Sequence, residues 1–215
     1  METSTASQPP RRTRAPEATR RAILDAARAE FAAKGYAGGR VDDMAARTAT
    51  SKRMIYYYFG GKEQLYAAVL EELYGGMRDA EAALALDSLP PAEAMRRLVE
   101  VTFDHHAAHP EFVRLISVEN IHEASNVKQS PEIRTRNATV IGRMTALLKR
   151  GEASGDFRRG VDPVDLHMLV SSFCFYRISN RHTLGAIFGR DTMEPATAAR
   201  QREMMVTAVL RYLAP

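Results

Sequence analysis

Residues 20–66 read RRAILDAARAEFAAKGYAGGRVDDMAARTATSKRMIYYYFGGKEQLY, and the residue spacing in this stretch is the strongest indication of the fold. Its first part places Leu24, Ala27 and Phe31 three and four positions apart, which is the spacing of an amphipathic helix. Gly35 then indicates a left-handed helix end. Two shorter amphipathic patterns follow, so the stretch predicts three short helices in succession.

The segment 51–59 has two chemically different sides when it is drawn as a helix at about 100° per residue. The polar side carries Lys52, Arg53, Tyr56 and Tyr57. The apolar side, which we expect to face a core, carries Met54, Ile55, Tyr58 and Phe59. Cations neutralise phosphates, arginine can bond guanine through two hydrogen bonds, and tyrosine hydroxyls can donate to phosphate oxygens. Ser51 is typical of an N-cap, and it would leave backbone amides free to meet a phosphate.

The charge distribution supports a polyanion partner at one end of the chain. Residues 1–62 hold 12 Lys/Arg against 6 Asp/Glu, whereas the remainder holds 18 against 20. An ordinary helix with a solvated basic side explains the same pattern, and residue spacing alone leaves both interpretations open.

The rest of the composition bounds the class of protein. One cysteine, Cys174, excludes an intrachain disulfide and fits a reducing compartment. No apolar run approaches the roughly 20 residues of a membrane span, so we expect a cytoplasmic protein. We expect three parts: a disordered basic tail over 1–15, a DNA-binding domain over 16–61 and a larger helical domain over 62–215. The tail either enters a minor groove or is merely solubilising.

The order of several features in this stretch resembles the N-terminal domain of the TetR (tetracycline-repressor-like) family. The matching features are Phe31, Gly35-Tyr36, Met44-Ala45, Ser51-Lys52, Ile55-Tyr56, Tyr58-Phe59 and Lys62-Glu63. The resemblance implies an all-α protein whose third helix enters the major groove. It implies phosphate contacts at Lys52, Tyr56 and Lys62, and positions near base edges for Arg53, Met54 and Tyr57. With three flanking positions, the predicted DNA-binding set is Arg40, Thr50, Ser51, Lys52, Arg53, Met54, Tyr56, Tyr57 and Lys62.

Three positions depart from the family pattern. Arg40 replaces a small hydroxyl residue, so the N-cap of the second helix is lost although an arginine can still reach a phosphate. Ala49-Thr50 replaces a Gly-Val turn, which would strain Ala49 if that position needs a positive φ. Tyr57 stands where histidine is common. These departures affect the operator sequence rather than DNA binding itself.

The remaining pattern predicts about nine helices in all, with a C-terminal domain that binds a small effector. Polar residues follow apolar helix stripes there, and buried charge is costly unless it is paired. One interpretation is an effector pocket formed by Phe103, His106, Leu115, Glu119, His122, Met144, Phe173, Arg177 and Asn180. The other is that Glu119 and Arg177 simply pair with each other.

Dimerisation is expected because one short helix covers only a few base pairs, whereas a two-fold dimer presents two such helices about one DNA turn apart. The family resemblance assigns it to the last two long helices. The candidate interface residues are Ile178, Leu184, Ile187, Phe188, Met205, Ala208, Val209 and Tyr212.

The expected function is therefore a one-component, dimeric repressor that a small-molecule effector releases from a pseudo-palindromic operator. An activator on the same scaffold and a non-DNA helical adaptor are alternatives. A metal-dependent enzyme built on His105, His106, His109 and His122 is a further one, but Pro110 ends their helix and no carboxylate has a recognised metal spacing. We expect no enzymatic activity, cofactor or metal.

Overall fold

The computed structural model describes residues 16–215, and over that range it contains α-helices and no strand. The predicted basic tail, 1–15, lies outside the described residues. The ten α-helices are α1 Pro16–Gly38, α2 Val41–Arg47, α3 Lys52–Phe59, α4 Lys62–Ala82, α5 Pro91–Ala108, α6 Pro110–Ile121, α7 Pro131–Ser154, α8 Pro163–Ser179, α9 Arg181–Phe188 and α10 Pro195–Leu213. The all-α prediction is confirmed.

Local sequence signals define where most of these helices begin. Proline occupies the first helical position of α5, α6, α7, α8 and α10, where its missing N–H costs no hydrogen bond. Side-chain oxygens of Ser51, Ser130, Asp162 and Glu194 accept hydrogen bonds from amides of the following turn. The helix boundaries are thus largely encoded by residues adjacent to them.

The first helix breaks where its glycine predicts a break. Gly35 has φ 68° and ψ 178°, and one more helical turn follows before Gly38. Gly39 is required for a different reason: a Cβ there would lie 2.6 Å from the Phe31 ring. The chain can therefore turn tightly from α1 into α2 only with a glycine at this position.

Two boundaries differ from the sequence prediction. The predicted eighth helix is two helices, because α8 ends at Asn180, whose amide side chain donates to the Tyr176 carbonyl. The predicted fourth helix ends at Ala82 rather than reaching Leu86, and the chain then passes through a left-handed residue, Ala85. Over residues 16–215 there are consequently ten helices instead of nine.

Two apolar cores hold the helices together. The first joins α1–α4 to α6 and includes Phe31, Ile55, Tyr66 and Leu115. The second joins α5, α7, α8 and α10 around residues such as Met144. The first core contains residues of the N-terminal helices and of α6. The packing of α3 therefore depends on contacts between the N-terminal helices and the larger part of the molecule.

Among the helices of residues 16–215, none is both long and apolar enough to cross a membrane.

Candidate nucleic-acid interface

Helices α2 and α3 are joined by a turn that places α3 on the surface. Ala49 in this turn has φ 50°, as expected for a position where the family pattern has glycine. A non-glycine residue in this region costs roughly 1–2 kcal/mol. The Ser51 side chain then accepts a hydrogen bond from the Met54 amide at 3.2 Å, which confirms the predicted N-cap.

The two sides of α3 differ in exposure. Ile55 is fully buried and Phe59 is buried beside it, as predicted. Lys52, Arg53, Tyr56 and Tyr57 are exposed, and Tyr57 keeps 78% of its surface in solvent. The helix therefore presents two cations and two phenols outward.

The predicted burial of Met54 is wrong. This residue is 37% exposed, because the helix is rotated so that Ile55 and Phe59 enter the core while the half-buried Tyr58 packs against the edge of it. The ring of Tyr58 also packs edge-on against Tyr57, with 5.4 Å between ring centroids. Met54 therefore lies on the exposed side of α3, in agreement with the position near base edges that the family resemblance implies.

The other predicted contact residues surround this helix. Arg40 is exposed at the start of α2 and makes no side-chain cap, as expected from its replacement of a hydroxyl residue. Thr50 is half-buried in the turn. The Lys52 ammonium lies 3.3 Å from an Asp42 carboxylate oxygen, and this exposed pair can exchange its partner for a phosphate.

Lys62 connects the first turn of α4 to the end of α1. Its ammonium donates to the Ala37 carbonyl at 3.3 Å and lies 4.8 Å from the centroid of the Tyr36 ring. The ammonium of Lys62, which is predicted to contact a phosphate, is therefore held in place by Tyr36 and Ala37, just after the break at Gly35.

A buried carboxylate, which the sequence pattern did not reveal, holds α1 and α2 together. Glu30 is fully buried, and its oxygens lie 2.7 Å from the Lys34 ammonium and 3.1 Å from an Arg47 guanidinium nitrogen. Glu30 also accepts a hydrogen bond from the backbone amide of Arg40 at 3.3 Å. The hydrogen bond to the Arg40 amide and the ion pair with Arg47 tie α2 to α1 at both ends of the short helix.

A neighbouring ion pair extends this cluster. Hydrogen bonds to Glu30 and then to Asp43 raise the pKa of Lys34, and the hydrogen bond from Lys34 lowers the pKa of Asp43. Glu30 lies three residues after Ala27 and seven after Ile23, so helical spacing places it beside the apolar side of α1, but the sequence analysis did not single it out. Only the three-dimensional approach of Arg47 identifies it.

A second buried carboxylate links the DNA-binding helices to α6. Glu119 accepts a hydrogen bond from the Tyr66 hydroxyl at 3.1 Å and from the amides of Asn126 and Val127. Burial and the nearby Glu119 raise the pKa of Tyr66 above its usual range, so the phenol stays protonated. Glu119 was predicted in the effector pocket, but its oxygens are committed to Tyr66 and to the loop after α6.

Arg177 also has partners within the protein, although its Nη1 is buried without a partner in residues 16–215. Its guanidinium donates to the Gln201 amide oxygen at 3.2 Å and to the Thr192 carbonyl at 2.5 Å, and it lies 4.1 Å from the centroid of the Phe103 ring. The alternative pairing of Arg177 with Glu119 is therefore wrong, because each side chain has other partners.

The remaining predicted pocket residues do not converge on one cavity. Leu115 belongs to the first core, whereas Met144 and Phe173 belong to or pack against the second. His122 is exposed beyond the end of α6, and Asn180 terminates α8. The helix stripes were correctly identified as apolar, but stripes on different helices face different cores.

An interior basic cluster, which we define as Arg78, His105, His106 and His167, lies between α4, α5 and α8. Arg78 is buried and pairs with Glu81 at 2.8 Å, but its Nε has no partner within residues 16–215. Burial first, and then neighbouring positive groups including Arg78, lowers the pKa of His105 to about 4. Burial also lowers the pKa values of His106 and His167, so all three imidazoles are neutral at pH 7. Sequence reasoning identified only His106 of this set as a pocket residue.

Aromatic rings surround this cluster. The His106 ring centroid lies 5.7 Å from that of Phe112 and 6.4 Å from that of Phe175. Tyr74 packs edge-on against Phe112 at 5.4 Å. Within the described residues, no group of three His, Cys, Asp or Glu side chains is arranged to hold a metal ion.

The candidate dimer residues divide into core and surface. Ile178, Met205 and Val209 are buried within their own protomer, so these three assignments are wrong. Leu184 is half-buried, and Ala208 and Tyr212 are exposed. Ile187 and Phe188 are 71% and 70% exposed. On α10, Ala208 and Tyr212 are exposed as an interface requires, and Met204 continues their side of the helix one turn earlier.

Helix α8 adds an apolar strip that the sequence reading missed. Val164, Met168 and Tyr176 are exposed at spacings of four or eight residues, which aligns them on one side of the helix. Together with the exposed residues of α9 and α10, they form a surface that we call the apolar face.

Comparisons with known proteins agree with this architecture. Residues 23–69 match the family model "Bacterial regulatory proteins, tetR family", and residues 91–209 match "Tetracyclin repressor-like, C-terminal domain". The HTH-type transcriptional repressor NicS of Pseudomonas putida is 35% identical over 195 residues, covering 91% of this chain and 92% of that protein. The HTH-type transcriptional repressor SCO4008 of Streptomyces coelicolor is 41% identical over 103 residues, covering 48% of this chain and 50% of that protein.

Solved structures show the same arrangement of helices. The structure of SCO4942 from Streptomyces coelicolor is 30% identical with a TM-score of 0.70, covering 91% of this chain and 98% of that one. The ketosteroid transcriptional regulator KstR2 of Mycobacterium tuberculosis is 19% identical with a TM-score of 0.69, covering 91% and 95%, and at this identity it supports the fold alone.

Proposed function

The chain belongs to the TetR family of bacterial transcriptional regulators, and we propose that it is a homodimeric repressor which a small-molecule effector releases from a pseudo-palindromic operator. The observation that carries this proposal is α3: a capped surface helix with cations and phenols outward and Ile55 and Phe59 anchored in the core. We propose no catalytic activity, and we retain 16–61 and 62–215 as the functional division of the chain.

We assign the phosphate contacts to Lys52, Tyr56 and Lys62. Lys52 is the first residue of α3, Tyr56 lies on the exposed side of that helix, and Lys62 is the first residue of α4. Arg53, Met54 and Tyr57 are assigned to the floor of the major groove, where arginine bonds guanine and apolar groups meet thymine methyls. The other members of the DNA-binding set are Arg40, Thr50 and Ser51, which we assign to contacts with the DNA backbone.

Dimerisation is supported by the apolar face. Large side chains of α8, α9 and α10 are exposed in the single chain, including Ile187 and Phe188. A contiguous exposed apolar surface of this kind is typical of an interface. We therefore assign the dimer contact to Val164, Met168, Tyr176, Leu184, Ile187, Phe188, Met204, Ala208 and Tyr212.

The effector is assigned to the interior basic cluster rather than to the full set predicted from sequence. Arg78 has a buried Nε without a partner in residues 16–215, and such an atom costs about 1–3 kcal/mol. A ligand that accepts a hydrogen bond there would recover this cost. NicS and SCO4008 are named as repressors, which supports repression over activation for this chain.

The test is operator binding after selection of duplexes from a random pool. The variant K52A/Y56A/K62A is expected to lose at least about 100-fold in affinity, because it removes two cations and one hydroxyl from phosphates. The matched control is Lys149→Ala, an exposed lysine on α7. Fluorescence anisotropy measures affinity, and sedimentation verifies that the dimer is intact. Unchanged affinity in the triple variant would contradict the assignment of these three residues, and a wild type that binds no selected duplex would leave a helical adaptor as the better account.

A further inference from the structure

A groove on the surface separates the end of α1 from α6, α8 and α9. It has a volume of about 740 Å³, and residues 32–37 form one wall while Arg114, Ser117 and Arg181 belong to the opposite one. A second groove of about 450 Å³ continues it along α6 and shares Tyr36 and His122 with it. One wall thus belongs to the DNA-binding helices and the other to the larger helical body.

The groove lining combines apolar side chains with positive and hydrogen-bond-donating ones. Arg114 and Arg181 both line it, and within residues 16–215 neither guanidinium makes an ion pair or a side-chain hydrogen bond. His122 and His182 add two imidazoles. The acidic side chain in the lining is Glu111, whose carboxylate is engaged by His109 at 3.4 Å and approached by Arg28 at 4.0 Å.

Two helix N-termini also meet this groove. Helix α6 begins at Pro110 and α9 begins at Arg181, and neither start has a side-chain cap. The Asn180 side chain, which could have capped α9, donates instead to the Tyr176 carbonyl and the Ser179 hydroxyl. The amide ends of α6 and α9 favour an anion, whereas the carbonyl ends of α1 and α8, which also line the groove, oppose one. The attraction for an anion therefore comes from the two guanidiniums, which have no ion-pair partners within the described residues.

We propose that this groove is a binding site for a small organic anion, with a carboxylate or phosphate group held between Arg114 and Arg181. Arginine matches either oxyanion through paired hydrogen bonds. The site is separate from the interior basic cluster, since the groove lining contains none of the four residues of that cluster. It is therefore a second ligand site rather than another description of the effector site.

Its position couples the anion to the DNA-binding helices. Tyr36 and Ala37 line the groove and are the same residues that Lys62 contacts. A ligand that contacts α6, α9 and the segment after Gly35 at the same time restricts the motion of this segment. Binding linkage then requires operator affinity to change by the same factor as anion affinity. This coupling rests on the proposed function, whereas the anion site itself does not.

Isothermal titration calorimetry at constant ionic strength tests the site, with inorganic phosphate and succinate as separate probes. We expect saturable binding of at least one probe to the wild-type protein, and the two arms show which head group is preferred. The variant R114Q/R181Q should weaken binding by at least about tenfold, because it removes charge-assisted hydrogen bonds. The control Arg190→Gln, an exposed arginine outside the groove, should bind as the wild type does. Equal affinity in all three proteins, or binding that does not saturate, would overturn the proposal.

Backbone NMR gives a second readout on the wild-type protein. The probe should shift the amides of Gly35, Tyr36 and Arg181 ahead of those in the interior basic cluster. Shifts confined to other regions would contradict the site even if calorimetry detects binding.

Operator affinity with and without the probe tests the coupling. We expect at least about a threefold change in the wild type and none in R114Q/R181Q. An unchanged affinity in the wild type would refute coupling. Failure of the ligand-free wild type to bind any selected duplex would instead refute the proposed function, while calorimetry would still decide the anion site.

Discussion

Glu30 organises the DNA-binding helices although its side chain is entirely buried. It pairs with Lys34 and Arg47 and accepts the Arg40 amide at the start of α2. Buried carboxylates are stable only with such partners, since an isolated one carries a large desolvation cost. At the scale of single residues, this side chain ties the start of α2 and its Arg47 to α1.

We expect Glu30→Ala to lower the free energy of unfolding by about 2 kcal/mol, because two cations and one amide lose a charged partner. Glu30→Gln keeps the shape and an acceptor for the amide, so it should cost less than Glu30→Ala. Urea unfolding followed by circular dichroism measures both. Asp87→Ala, which alters a fully exposed side chain, serves as the control and should cost less than about 0.5 kcal/mol. Equal effects of Glu30→Ala and the control would contradict the proposed role of Glu30.

The α2–α3 pair illustrates at the scale of elements what sequence can and cannot specify. The position of α3, its Ser51 cap and the burial of Ile55 and Phe59 follow from local chemistry and spacing. The exposure of Met54 does not, because the rotation of a short helix depends on which neighbours contact it. For the same reason Met205 and Val209 of α10 were assigned to the dimer interface although both are buried.

The turn before α3 yields a prediction about strain. Replacing Ala49 by glycine should raise the free energy of unfolding by roughly 1 kcal/mol, since glycine adopts a positive φ without a Cβ clash. The control is Ala46→Gly within α2, where φ is helical and glycine should instead destabilise by up to about 1 kcal/mol. Denaturant midpoints that move in the same direction for both variants would contradict this account of the turn.

At the scale of the whole molecule, the fold class and order of helices could be predicted, but the ligand sites could not. Glu119 and Arg177 both lie on apolar stripes, yet one bonds Tyr66 and the other bonds Thr192. These partners are 53 and 15 positions away in the sequence, and no local pattern encodes them. The interior basic cluster was missed for the same reason, as Arg78 reaches it from α4.

The apolar face predicts how the molecule assembles. I187D/F188D should convert the dimer to a monomer, because two desolvated carboxylates would oppose their copies across a two-fold interface. Sedimentation velocity measures the mass, and operator affinity should fall with it since one protomer offers only one α3. The control Ile121→Asp changes an exposed apolar residue on α6 and should leave the dimer intact. A monomeric wild type would contradict the assignment.

Photo-crosslinking from Tyr57 can show whether α3 enters the major groove. A benzophenone amino acid at this exposed position should crosslink to operator bases at two places about one helical turn apart, one for each protomer. The same probe at Lys149, which is exposed on α7 and outside the dimer contact, should give no DNA crosslink. Crosslinks from position 149 but not from position 57, or no DNA adduct at position 57 in a complex that gel shift shows to be formed, would contradict the entry of α3 into the groove.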